Sequence, residues 1–326
     1  MFKKLFLFVV LLSLLAVGGM VFWAKQPVIT VGEPMPFTIL PGSGLDSVVQ
    51  QIASAGVPVN PELLGLLVRL TGKSGKLKAG SYEIKPGTTP LRLITQLVRG
   101  EFAQESLTVI EGWTFRQMRQ AVAAQTALKH DTATLTDAEL MAKITTDYTL
   151  PEGLFAPDTY LFAKGSSDLQ VYKQAHALLL KRLNAAWENR DSTLPYKTPY
   201  EALIMASIVE KETGRKAERT NIAGVFINRL RIGMLLQTDP TVIYGMGDQY
   251  KGSIRRRDLT TDTPYNTYTR PGLPPTPISL PGDESLHAAM NPAKTDALYF
   301  VAKGDGSSHF SSNLSEHNQA VNKYQR

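Results

Sequence analysis

The chain of 326 residues contains no cysteine, which excludes disulfides, thiolate metal sites and cysteine nucleophiles. Histidine is scarce. Its five positions (His130, His176, His287, His309 and His317) show no ligand spacing, so neither a metal nor any other cofactor is expected. No HExxH or GxSxG occurs, the "GKS" at Gly72 lacks the upstream glycine of a phosphate-binding loop, and "GMGDQYKG" does not fit dinucleotide spacing. The run Arg255, Arg256, Arg257 has no interleaved aromatics on which bases could stack, which argues against nucleic acid as a partner. Only one uncharged stretch is long enough to cross a bilayer.

That stretch, Leu5 to Ala24, follows Lys3 and Lys4 at the N-terminus. Twenty helical residues span about 30 Å, the thickness of a bilayer's hydrocarbon core. Trp23 is placed as an interfacial anchor, and the run outlasts the apolar core of a cleavable signal. The two lysines outnumber the single nearby Lys25, so residues 1–4 are expected in the cytoplasm, 5–24 in the membrane and the remainder outside. With 43% hydrophobic and 20% charged residues the remainder has an ordinary globular composition, and the net charge of +6 suits an anionic partner without selecting one.

One pattern recurs in the first third. "ILPGSGLDSVVQQI", "IKPGTTPLRLITQL" and "VIEGWTFRQMRQAV" each pair a β-branched residue with a Pro-Gly or Glu-Gly turn and an amphipathic run. Gly42, Gly87 and Gly112 supply the turns, Thr89 and Thr114 are expected helix caps, and Pro90 falls at the favoured first helical position. Leu45, Val48, Val49 and Ile52 repeat at helical spacing, so short strands alternate with short helices here. Further helices are expected over 168–188, 200–213 and 219–230. An irregular aromatic groove is expected from Gln237 onward, and a strand, turn and return strand before a last helix containing His317. The fold class is therefore α+β.

Within "MASIVEKETG", Glu210 and Glu212 stand among apolar residues. An unpaired buried carboxylate answers its desolvation by keeping a proton, which makes it a general acid. Leu203, Ala206, Ser207 and Glu210 share one helix face; Glu212 lies about 160° away, near Met205 and Ile208. Both faces are apolar, so the pattern leaves the choice open, as it does pairing with Arg215, Lys216 or another helix. The small Ala206 and Ser207 favour Glu210 by leaving room for a ligand.

"ASIVEKETG", "VFINRLRIGMLLQTDPTVIYGMG", "YNTYTRPGLPPTPISLPG" and "EGLFAPDTYLF", in this order, closely resemble the YceG-like endolytic murein transglycosylases, the MltG family. The resemblance covers essentially the whole chain. It implies one inner-membrane helix, a LysM-like subdomain over 30–104 and a periplasmic catalytic domain over 105–326. It implies an enzyme that cuts peptidoglycan strands internally, ends glycan elongation and leaves 1,6-anhydro-muramyl termini, with peptidoglycan synthases among the expected partners. The resemblance assigns the catalytic glutamate to the first acid of "IVEKE", Glu210. Gln237, Thr238, Asp239, Tyr244, Asn266 and Tyr268 are the expected groove residues, with Glu152 and Tyr160 (and Asp158) of "PEGLFAPDTY" as further candidates. "FTILPGSGLDSVV" lacks the usual Asp-Thr after Pro-Gly, so weak independent glycan binding is expected of the LysM-like part. One rival is a hydrolase using Glu210 and Asp239 as a carboxylate pair. The other is a membrane-anchored scaffold that binds glycan without cutting it.

Overall fold

A computed structural model describes residues 2–325. The first helix, α1 (Phe2–Lys25), is long and apolar enough to cross a membrane, and most of its side chains are exposed. Its last turn is different. Ala24 is buried, and Trp23, expected at a membrane interface, packs against a protein core.

That core belongs to the first of two compact units, formed by residues up to 105 together with 161–166. Strand β1 (Met35–Ile39) leads into α2 (Leu45–Ser54) and α3 (Pro61–Leu70). Strand β2 (Gly80–Ile84) returns antiparallel, with Met35 opposite Ile84 and Ile39 opposite Gly80, and α4 (Pro90–Arg99) follows. The expected face of α2 is the buried one: Val48, Val49 and Ile52 meet Leu64 and Val68 of α3 and Tyr82 of β2. Thr89 caps α4 by accepting from the Arg92 N–H at 3.2 Å, with Pro90 in the first turn. Gly42, Gly87 and Gly112 all turn with φ between +77° and +87°, where a side chain would be strained. Helix α3 was not expected from the sequence, although Asn60 and Pro61 form a cap and first turn for it.

The second unit comprises 106–160 and 167–326. Strands β3 (Gln104–Thr108) and β4 (Thr159–Ala163), whose residues are divided between the two units, pair with each other. Between them lie α5 (Phe115–Ala124), opened by a reciprocal cap of Thr114 and Gln117, and α6 (Asp137–Ala142). Next come α7 (Asp168–Glu188), α8 (Pro199–Glu212) and α9 (Arg219–Arg231), each within a residue or two of its expected bounds. Helix α8 is central: every residue from Ala202 to Val209 is buried. This explains why its sequence is apolar all round, as an enclosed helix must be.

The region after Gln237 is less irregular than its composition predicts. It contains α10 (Asp239–Met246), α11 (Arg256–Thr260) and α12 (Asp283–Met290). Helices of five to eight residues span too few turns to show the periodicity that would reveal them. The chain closes with the expected hairpin of β5 (Tyr299–Ala302) and β6 (Ser308–Ser311), then α13 (Leu314–Tyr324).

Candidate active site

The two acids of α8 end in different surroundings. Glu210 is clamped. Its Oε1 accepts from the Arg219 guanidinium at 3.0 Å, and its Oε2 accepts from the Gly282 N–H at 3.0 Å. Both side chains are nearly inaccessible, at 5% and 6% exposure. Arg219 continues to Glu284 at 3.3 Å, which also accepts from Lys216 at 2.8 Å. The space expected beside Ser207 is filled by protein: its hydroxyl accepts from the Ile278 N–H, and its carbonyl accepts from the Ser279 hydroxyl. The small residues of this face seat the 278–282 loop rather than a ligand. The expectation of an unpaired acid at Glu210 is therefore corrected. Of the pairings left open, with Arg215, Lys216 or another helix, the structure shows the last: the partner is Arg219, the first residue of α9.

Glu212 opens instead onto a cavity of about 950 Å³. Gln237, Asp239, Tyr268, Arg229 and Tyr299 line it with Glu212. The carboxyl accepts one hydrogen bond, from the Thr238 hydroxyl at 2.7 Å. Burial pushes it above the usual carboxylate range; the Thr238 bond opposes this, the Asp239 charge adds to it, and Arg229 opposes it. Arg229 is itself held from below, donating to the carbonyls of Leu298 and Leu236 at 2.7 Å each.

The wall beside Glu212 is built with care. Thr238, Thr241 and Thr267 form a buried cluster: the Thr241 hydroxyl donates to the Thr238 carbonyl at 2.7 Å, and the Thr238 N–H donates to the Thr267 hydroxyl at 3.1 Å. Gln237 sits at φ +48°, the one positive φ at a non-glycine position among the described residues. Such a conformation persists only where the surroundings enforce it; here the Gln237 N–H is tied to the Thr267 carbonyl at 3.0 Å. Asp239 accepts from the Tyr268 hydroxyl at 2.5 Å, joining residues far apart in sequence on the cavity rim.

Of the expected groove residues, then, Gln237, Thr238, Asp239 and Tyr268 meet at Glu212. Asn266 does not face the cavity. It is buried and spends its amide on the carbonyls of Asp258, Leu259 and Thr261, while its oxygen accepts from the Tyr268 N–H. It knots the loop that carries Tyr268. Tyr160 is also buried away from the cavity, with its hydroxyl on the Ala156 carbonyl at 2.5 Å. Asp158 pairs with Arg182 at 2.6 Å. Arg219, which clamps Glu210, and Arg229, which lines the cavity of Glu212, were not singled out from the sequence.

Glu152 and Tyr244 lie together in a second cavity, of about 680 Å³. Glu152 accepts from the Phe115 N–H at 3.0 Å and from the Tyr244 hydroxyl at 3.1 Å. Burial nevertheless raises its carboxyl to about 7, against those two bonds. A carboxyl whose folded pKa exceeds its unfolded one favours the fold while protonated, so this contribution is present at low pH and is lost as pH rises toward 7. Glu152→Gln should therefore raise stability at pH 8 by up to about 3 kcal/mol and change it little at pH 4. Thermal melts of both proteins at the two pH values test this; an equal shift at both would contradict the buried-proton account.

Among the described residues, no group of three or more histidine, aspartate or glutamate side chains is placed to hold a metal ion. Comparison with known proteins agrees with this architecture. The model of the YceG-like family matches residues 37–323. A Bacillus subtilis (strain 168) protein named endolytic murein transglycosylase is 32% identical over 333 residues, covering 95% of this chain and 91% of its own. A Streptococcus pneumoniae (strain D39) protein of the same name is 27% identical over 361 residues, covering 96% of this chain and 64% of that longer relative. A crystal structure of a YceG-like protein from Listeria monocytogenes superposes with a TM-score of 0.54 at 29% identity, covering 89% of this chain and 99% of that one.

Proposed function

The chain belongs to the YceG-like family, and from that premise we propose that it is a peptidoglycan lytic transglycosylase in which Glu212 moves the proton. The observation that carries this reading is the environment of Glu212: a carboxyl raised by burial, facing a cavity large enough for a saccharide. The curated relatives' names supply the reaction, murein transglycosylation.

Glycosidic cleavage needs a proton on the leaving oxygen, and a carboxyl held above the usual carboxylate range by burial keeps a proton to higher pH and can supply it. As the bond from C1 of the muramyl ring breaks, positive charge develops on that ring. The Asp239 carboxylate, fixed by Tyr268, supplies the opposing charge on the same cavity wall. The ring's own 6-hydroxyl then attacks C1 and gives its proton to the Glu212 carboxylate. A 1,6-anhydro ring closes, and the acid is restored. Because the nucleophile comes from the substrate, no carboxylate nucleophile or water-activating base is required beside Glu212. Glu210 takes no part: its two oxygens are committed to Arg219 and Gly282.

The carboxylate pair of the rival hydrolase, Glu210 with Asp239, does not share a cavity, which weighs against that reading. Digestion of isolated peptidoglycan by the purified protein, followed by mass analysis of the new ends, discriminates further. Anhydro-muramyl termini are expected. Reducing termini would indicate hydrolysis, and undigested material would favour the scaffold.

We read α1 as a single-pass anchor with the lysine end in the cytoplasm and the catalytic part outside. A reporter active only outside the cytoplasm, fused at the C-terminal end, should be active; an inactive but intact fusion would reverse the orientation. The first unit is read as a module that positions the catalytic part on nascent strands, and synthases as neighbours there.

A further inference from the structure

The second cavity has no part in the chemistry at Glu212, yet it is built from the same supports. On α10, Asp239 and Ile243 stand four residues apart and so share one helix face. Asp239 lines the first cavity, whereas Ile243 and Gly247 line the second. The loop knotted by Asn266 makes the same division, with Tyr268 on the first cavity and Tyr265 on the second. Four helical residues rise about 6 Å, so one face of α10 contributes to the first cavity at Asp239 and to the second one turn on, at Ile243.

The lining indicates what the second cavity takes. Tyr244 and Tyr265 meet edge to face at 4.9 Å, and the Tyr265 hydroxyl is fixed to the Thr276 hydroxyl at 2.8 Å. Tyr250 stands at the margin, with no side-chain hydrogen bond among the described residues, near the exposed Arg116–Asp248 ion pair. A pyranose ring presents C–H faces that pack on aromatic rings and an equator of polar groups that need hydrogen-bond partners. The cavity supplies both. Its acids Glu152, Asp137 and Asp248 stand against the single lining cation Arg116, an arrangement unfavourable to a phosphate or a free carboxylate.

We propose that the second cavity is a distal saccharide subsite, holding an uncharged pyranose of the same glycan strand whose scissile bond lies at Glu212. The inference rests on the lytic reading given above. It assigns Tyr250 as a substrate-positioning residue: the far ring packs against it, and the strand is aligned along α10.

The test uses the full chain in detergent and peptide-free glycan strands fractionated by length. Tyr250→Ala should raise KM on long strands about tenfold, the worth of one good aromatic contact, with kcat unchanged. On the shortest strands still cleaved, which fill only the Glu212 end, its kinetics should match the wild type. Tyr250→Phe, which keeps the ring, should restore KM on long strands. An unchanged KM at every length, or an equal loss on short and long strands, would overturn the subsite. Wild-type protein that cleaves no strand of any length would instead overturn the lytic reading beneath it.

Discussion

Glu212→Gln should lower the rate of glycan cleavage by about two to four orders of magnitude, the usual worth of a positioned general acid. The amide keeps the side chain's volume and can still accept from the Thr238 hydroxyl, now at 2.7 Å. What it loses is the transferable proton. Because the wild-type carboxyl is held above the usual carboxylate range chiefly by burial, the substitution removes a group that resists ionising inside the protein. The variant should therefore melt no lower than the wild type. The wild-type kcat/KM should fall as pH rises through the elevated Glu212 titration, since the acid must be protonated to act. Initial rates across pH, with a thermal melt of each protein, read both effects. A wild-type rate that climbs with pH over that range would be incompatible with an acid at this position.

Glu210→Gln should act on the fold instead. Removing one partner of a buried ion pair leaves the other charge uncompensated, at about 3–5 kcal/mol. Here Glu284 remains on Arg219 at 3.3 Å, which places the loss near the lower end, about 3 kcal/mol. For a unit of this size that corresponds to a fall in Tm of roughly 6–12 °C. The damage should concentrate where Glu210 joins elements: the α8–α9 connection through Arg219, and the 278–282 loop through Gly282. Denaturant unfolding of the purified variant measures the loss. An unchanged midpoint would mean that the pair contributes nothing and that Glu210 is free for another role.

Much of the scaffold was legible in the sequence. The bounds of α7, α8 and α9, the caps at Thr89 and Thr114 and the terminal hairpin follow from local rules: periodicity, N-cap chemistry and turn residues. The choice between Glu210 and Glu212 did not follow. A helical wheel reports which faces are buried, and α8 is buried on all of them. It cannot distinguish burial against protein, as at Ser207 and Glu210, from burial beside a cavity, as at Glu212. The partner of Glu210 lies nine residues on, across a turn, where no helical spacing points to it. The groove was half legible. Gln237, Thr238, Asp239 and Tyr268 met as expected, whereas Asn266 and Tyr160 turned out to fasten backbone, a use that a polar side chain in a loop does not announce.

The central claim is that proton transfer belongs to Glu212 and structural support to Glu210. The most direct test measures release of soluble glycan fragments from purified peptidoglycan by Glu212→Gln and Glu210→Gln side by side. Both are assayed at a temperature well below either melt and normalised to the folded fraction. Glu212→Gln should fall to background while fully folded, and Glu210→Gln should retain most of the wild-type rate per folded molecule. A folded Glu210→Gln that is inactive, beside a Glu212→Gln that still cleaves, would contradict the account.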